Sequence, residues 1–218
     1  KENLPSEQKS FSSEQMADAA LALREAYDSA PDSEKKDKNF ASKTADAATN
    51  YANIALNYDP KNATAHYILG KEASDNKNLQ KALDEYTQAV QSDSNNYLYY
   101  FELGKIQYSL KKYSEARVSF ESSIKCKSDF APAHFNLGMT LRTLARRDDA
   151  IASFRRAYSI DPMYSRAYLY AARLLNEKGD VKGSIAAYNE VLKIDSANVE
   201  ALREQGAVYS SNDQFAEA

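Results

Sequence analysis

Glycine returns on one beat through this chain. Gly70, Gly104, Gly138 and Gly206 lie 34, 34 and 68 residues apart, and the skipped position holds another small residue, Ala172. Ala82, Ala116, Ala150, Ser184 and Ala218 keep the same period, and so do the aromatics Tyr86, Phe120, Phe154 and Tyr188. Three registers holding over five units mark a stacked repeat array, and a period of 34 is that of a helix–turn–helix unit. Such a unit cannot bury its apolar face alone, so neighbours must stack. The resulting array presents an extended concave surface and binds rather than catalyses.

Counting from residue 63, the units are 63–96, 97–130, 131–164, 165–198 and a partial 199–218. In the first of them Tyr67, Leu69 and Gly70 belong to one helix, and Ala82, Tyr86 and Ala89 to the next. Steps of four and three place the last three on one helical face. Glycine inside a helix costs about 1 kcal/mol against alanine, so its return at one position implies close helix packing. Polar turns fall between the helices, at 75–78, 111–112, 146–149 and 178–180. Pro60 and Pro162, each behind an aspartate, fall where a second helix should stop.

Residues 1–62 fit the period less well and read as an atypical first helix pair, a degenerate repeat or cap. A helix is expected from Ser13 to Ala30, capped by Ser13, with Met16, Ala19, Ala20, Leu23 and Tyr27 on one face. A charged connection, 31–38, leads to a second helix over Phe40–Tyr58 with a stripe through Ala48, Tyr51, Ala55 and Leu56. At the other end, Ala218 falls just inside the fifth unit's second helix, so the natural protein is expected to continue.

The 218 residues are 43% hydrophobic and 27% charged, a globular composition with a net charge of −3. That charge is too small for a dedicated nucleic-acid binder. No apolar run approaches the roughly 18 residues of a membrane span, and 1–11 carries no secretory signature. A single cysteine, Cys126, excludes an internal disulfide and a multi-cysteine metal site. A soluble protein of the cytoplasm or of a bacterial periplasm is compatible with this.

An aromatic, then leucine and glycine, then alanine, phenylalanine, alanine and proline at set offsets resembles the tetratricopeptide repeat. The unit from 131 shows it as His134, Leu137, Gly138, Leu141, Ala150, Phe154, Ala157 and Pro162. The unit from 97 shows Tyr100, Leu103, Gly104, Ala116 and Phe120, and the unit from 165 departs with Ala172, Ser184 and Ser196. The resemblance covers 63–218. It implies an all-α fold, a right-handed α-solenoid of antiparallel helix pairs, and a groove lined by the first helix of each unit that takes peptides or proteins.

In this family the second, fifth, ninth and twelfth positions of each unit line the groove. The resemblance thus implies Tyr67, Lys71, Leu98, Phe101, Lys105, Tyr108, Phe135, Met139, Arg142, Arg166, Leu169, Arg173 and Arg203 as lining residues, with Asn136 at a neighbouring sixth position. This is a mostly aromatic ladder beside a row of cations. The alternative is that the aromatics cap the core between neighbouring units. Residues 131–198 hold 10 basic and 7 acidic side chains, and seven of the basic ones are arginines, which suit carboxylates through a planar two-donor fork. Arg155 and Arg156 are expected on the outer face. The carboxylate clamp that grips chaperone tails is incomplete in every window, because Phe101, Lys105 and Tyr170 take its places beside Asn136 and Arg166. The asparagine ladder of the sugar-transferring relatives is also missing.

No catalytic, cofactor or metal site is expected. His66 and His134 occupy equivalent positions two units apart and fill an aromatic slot held elsewhere by Tyr100 and Tyr168. Cys126 lies between Lys125 and Lys127 and reads as structurally indifferent. The carboxylate neighbours Asp84–Glu85 and Asp148–Asp149 have no evident buried partner, and no phosphate-cradling glycine loop occurs. The reading is a non-enzymatic scaffold or adaptor whose groove takes a peptide segment or partner helix, acidic with apolar anchors. Two alternatives stay open: the regulatory or substrate-recruiting arm of a larger enzyme, and an assembly protein that self-associates through array ends.

Overall fold

Thirteen residues from each starting point at Ala63, Tyr97, Ala131, Ser165 and Val199 are helical in the computed structural model, which describes residues 11–211. Among the described residues there is no strand. Helix α1 spans Ser13–Ser29 and is followed by two single turns, α2 (Asp32–Lys35) and α3 (Lys38–Ala41), a π-helical stretch over Ser42–Asp46, and α4 (Ala47–Tyr58). The regular part runs α5 (Ala63–Asp75), α6 (Leu79–Ser92), α7 (Tyr97–Ser109), α8 (Tyr113–Cys126), α9 (Ala131–Thr143), α10 (Arg147–Ile160), α11 (Ser165–Glu177), α12 (Val181–Ile194) and α13 (Val199–Ser211). The second helix expected of the last unit falls outside the described residues. The chain divides into two compact units, Lys1–Ile106 and Gln107–Ala218.

In the first unit α1 packs on α4 through alanine. Ala17, Ala20, Ala48, Ala52 and Ala55 are all buried, so the backbones approach closely. Ser13 Oγ reaches across to the Ala55 carbonyl at 2.9 Å and receives the Asn62 amide at 3.1 Å. Three sequence expectations are corrected here. The cap of α1 is Ser12, not Ser13, because Ser12 and Gln15 form a reciprocal capping box. The buried stripe of α1 is Ala17, Ala20 and Arg24; Ala19 is exposed and Met16, Leu23 and Tyr27 are half-buried, since the alanines allow the tighter contact. The second helix starts at Lys38 rather than Phe40 and runs to Tyr58, but it is not a regular α-helix throughout. A wide π turn, in which Thr44 Oγ1 donates to the Phe40 carbonyl at 2.7 Å, sets Thr44, Ala45 and Ala48 facing inward together.

Farther along this unit, α5 and α6 meet where Gly70 lies under the Tyr86 ring. A Cβ at Gly70 would stand 2.7 Å from Tyr86 Cδ1. The same device holds in the second unit, where a Cβ at Gly138 would stand 2.7 Å from Phe154 Cε1. There α9 pairs with α10 and α11 with α12, while α8 packs on α9, α10 on α11 and α12 on α13. Leu169, Ala172, Tyr188, Val191, Ala201 and Val208 form one buried cluster among the last three helices.

First helices end alike. The backbone turns left-handed at Lys77 (φ 59°), Lys111 (φ 62°), Ala145 (φ 59°) and Gly179 (φ 84°), again 34 residues apart. The next N–H then reaches five residues back: Asn78 to Ala73, Lys112 to Gln107, Arg146 to Leu141 and Asp180 to Leu175. This is the Schellman closure, which satisfies carbonyls that a helix end leaves open.

Candidate functional site

In the first unit every implied lining cation already holds a carboxylate. Lys71 Nζ sits 2.7 Å from Asp28 and over the Tyr67 ring, and Lys105 Nζ sits 2.7 Å from Glu102 and over Phe101. Tyr67 is 8% exposed and packs at 5.0 Å from Tyr99 and 6.0 Å from Tyr86. Burial pushes its hydroxyl far above the ordinary range. Leu98 and Phe101 are half-buried. Leu98 shares with Tyr67, Lys71 and Tyr99 a cleft of about 100 Å³, room for one side chain.

That cleft is floored by Arg24, whose side chain is 3% exposed and which sequence reading missed. Arg24 pairs with Asp28 at 2.9 Å, with Glu72 at 3.6 Å and with Asp75. Burial alone would raise the Asp28 carboxyl, but hydrogen bonds from Lys71 and Arg24 bring it below the usual carboxylate range. A buried guanidinium must be paired to be tolerated, and this one is. The only trace of it in the sequence is the four-residue step from Arg24 to Asp28.

The second unit is arranged differently. Steps of four and three set Phe135, Met139 and Arg142 on one face of α9, and the same steps set Arg166, Tyr170 and Arg173 on one face of α11. The two faces meet in a ring pair: Phe135 and Tyr170 lie 5.7 Å apart, edge to face. Arg166 stands over Phe135 at 4.9 Å, and Arg142 and Arg173 stand over Tyr170 at 4.8 and 5.0 Å. Phe135 is 4% exposed, held also by Phe154 and Tyr164, and Leu169 is buried in the helix core. These two fill the space between neighbouring helices, while Tyr170, Met139 and Arg142 are half-buried and Arg166 is exposed.

Arg173 is occupied from within the chain. Its Nε and Nη2 donate to the two oxygens of Glu204 at 2.8 and 2.9 Å, and Nη2 also meets Glu200. Glu204 further accepts from the Tyr188 hydroxyl at 3.0 Å. Burial would raise the Glu204 carboxyl, yet the bonds from Arg173 and Tyr188 carry it below its ordinary value. Hydrogen bonds to Glu204 hold the Arg173 guanidinium firmly charged. Arg203 is exposed and lies 3.6 Å from Glu204. Arg142 and Arg166, by contrast, meet no carboxylate among the described residues.

The remaining lining residues are used locally. The Tyr108 hydroxyl lies 3.1 Å from Thr143 Oγ1, and the Asn136 amide donates back to the Pro132 carbonyl at 2.8 Å. Sequence reading left Tyr170 out of the lining set, although it lies four residues after Arg166 and three before Arg173. It also missed Glu200 and Glu204, because a pair separated by 27 or 31 residues has no local signature.

Of the carboxylates thought to lack partners, Glu85 is corrected: it accepts from His66 Nδ1 at 2.8 Å, while His66 Nε2 faces the Pro60 carbonyl at 3.0 Å. The hydrogen bond to Glu85 raises the His66 pKa, whereas burial lowers that of His134, whose Nε2 faces the Ser128 carbonyl at 3.0 Å. No cluster of His, Cys, Asp and Glu with metal-ligand spacing occurs among the described residues. Cys126, Arg155 and Arg156 are exposed.

The family profile described as a tetratricopeptide repeat matches residues 40–96, 69–132 and 135–199. The chain belongs to the tetratricopeptide repeat family. Solved structures agree on the fold, an all-α solenoid of antiparallel helix pairs. PilF of Pseudomonas aeruginosa is similar with a TM-score of 0.74 at 20% identity, over 94% of this chain and 89% of PilF. YrrB, described as having an unusual peptide-binding site, gives 0.67 at 21% identity, over 85% of this chain and 98% of its own. MamA gives 0.68 at 21%, over 71% and 85%. A search of curated proteins returns no significant match. Membership in this repeat family makes the chain, in broad terms, a protein-interaction scaffold. No helix among the described residues is long and apolar enough to cross a membrane.

Proposed function

We propose that this protein is a non-enzymatic adaptor that takes an acidic peptide segment or partner helix on the face formed by α9 and α11. The observation that carries the reading is the pair of guanidiniums, Arg142 and Arg166, held over the Phe135–Tyr170 rings with no carboxylate of their own. A guanidinium over a ring keeps its in-plane N–H donors for a ligand. Lys71, Lys105, Arg173 and Arg203 each stand beside an internal carboxylate, so the unmatched positive charge of the lining set lies at two places. Met139, half-buried on α9 four residues after Phe135 and three before Arg142, supplies a soft apolar contact. That the similar YrrB is described by a peptide-binding site lends the reading support by analogy.

Affinity capture from native lysate, with wild-type bait beside an Arg142→Glu/Arg166→Glu bait of equal helicity, tests it. The expected result is a set of partners rich in acidic segments that is weakened by salt and lost from the variant. An unchanged, salt-insensitive partner set would contradict the reading. A second reading, self-association through the first helix pair, has one observation in its favour: Phe11 and Tyr51 are exposed and, with Met16 and Ala19, line an apolar cleft there. Light scattering over a concentration series tests it, and a strict monomer would count against it.

A further inference from the structure

The small cleft of the first unit differs in kind from the α9–α11 face. Its walls come from three helices: Leu21 and Arg24 from α1, Tyr67 and Lys71 from α5, Leu98 and Tyr99 from α7. The walls are fixed before any ligand arrives. Arg24 ties α1 to Glu72 and Asp75 of α5, and Lys71 ties α5 back to Asp28 of α1. The Tyr99 ring rests on Tyr67 at 5.0 Å, and its hydroxyl lies 3.2 Å from Thr64 Oγ1. A pocket held open in this way loses little freedom when it is filled.

Volume and charge limit what fills it. Two leucines and two tyrosine rings make most of the lining apolar. The cleft holds about 100 Å³, whereas an apolar cavity that accepts the six carbons of benzene measures about 150 Å³. In proportion there is room for about four carbons, a leucine or isoleucine side chain rather than a phenylalanine ring. Of the charged lining groups, Arg24, Asp28 and Lys71 are bound to one another or to Glu72 and Asp75. Glu25 is exposed and meets no cation among the described residues. Glu25, Asp28, Glu72 and Asp75 make four carboxylates against the two cations Arg24 and Lys71. Lys35, which donates to the Asp28 backbone carbonyl at 2.9 Å, adds a third cation, and the balance stays negative. Such a site repels an acidic segment and attracts a basic one.

We infer that this cleft is a second binding site, which takes one aliphatic side chain from a protein segment with lysine or arginine beside it, the cation pairing with Glu25. The ligand is opposite in charge to the one proposed for the α9–α11 face, and the inference does not rest on that reading. Arg24 has a positioning part: its charge is met by three carboxylates, and it holds the walls rather than the ligand.

Methyl NMR titration of the full chain tests it. Short glycine–serine peptides carry one central anchor, leucine, phenylalanine or alanine, with lysine or glutamate next to it. The lysine–leucine peptide should shift the methyl resonances of Leu21 and Leu98 in a saturable way and leave the exposed Leu202 of α13 in place. Alanine in place of leucine should weaken binding about tenfold, through loss of most of a buried aliphatic group. Glutamate in place of lysine should weaken it about fivefold, through loss of one exposed ion pair. Glu25→Gln should erase the preference for lysine and keep that for leucine. Phenylalanine binding as tightly as leucine would overturn the size assignment, and equal binding of lysine and glutamate peptides to the wild-type chain would overturn the pairing with Glu25. No saturable shift at Leu21 and Leu98 with any peptide would overturn the site itself. Each of these results leaves the acidic reading of the second unit standing.

Discussion

Ser184 stands where four other units carry alanine, and its hydroxyl is fully buried with no partner among the described residues. A buried polar group left unpaired costs about 1–3 kcal/mol. Ser184→Ala is therefore expected to raise stability by about 1 kcal/mol, read as a higher urea midpoint at unchanged slope; a lower midpoint would show that the hydroxyl is satisfied. The two histidines give a paired prediction. Glu85 raises the folded-state pKa of His66, so its stabilisation is complete below the unfolded value of about 6.5 and is lost as pH rises through the folded value above it. Burial depresses the pKa of His134, so its contribution is complete above the unfolded value of about 6.5 and is lost as pH falls through the folded value below it. His66→Gln should then flatten the loss on the alkaline side, and His134→Gln the loss on the acid side, in thermal melts from pH 5 to 8. Equal effects of the two would refute the assignment. The periodicity exposed both histidines as slot residues but not their opposite environments, because Glu85 reaches His66 from another helix.

Helix pairing rests on glycine under an aromatic ring. At Gly70 and Gly138 a methyl group would strike Tyr86 or Phe154, both fully buried and unable to swing aside. Overpacking of about 1–3 kcal/mol outweighs the gain of up to about 1 kcal/mol in helix propensity. Gly70→Ala and Gly138→Ala should each lower stability by about 1–2 kcal/mol, and a gain would mean that the ring yields. This much was legible, since a glycine that returns with an aromatic at one fixed offset implies a ring lying on bare backbone. The left-handed turns were not. Only Gly179 shows its purpose; at the equivalent places Lys77, Lys111 and Ala145 adopt the same backbone and bear the strain. A left-handed L residue costs about 1–2 kcal/mol, partly offset by glycine's greater freedom when unfolded. Ala145→Gly is expected to stabilise by about 0.5–1 kcal/mol in the same denaturation assay. In the first helix pair, the alanine seam and the π turn lie off the repeat register, so periodicity could not place them.

Across the whole molecule the charge is nearly balanced, 28 basic against 31 acidic side chains, and the proposed binding face rests on which charges are already matched. The sequence located the cations at the implied lining positions but could not say which ones carry internal carboxylates. Arg24 with Asp75 and Arg173 with Glu204 are pairs that only the folded chain brings together. Subtracting the matched cations from the implied lining set leaves Arg142 and Arg166 of the proposed α9–α11 face, which also carries Met139 on α9. The chain has three methionines, and the other two, Met16 and Met163, lie outside that face. Methyl-labelled methionine therefore reports the binding position directly. On titration with a synthetic acidic peptide that carries a leucine, the Met139 methyl resonance is predicted to shift in a saturable way while Met16 and Met163 stay in place. A saturable shift at Met16 with Met139 unmoved would contradict the account.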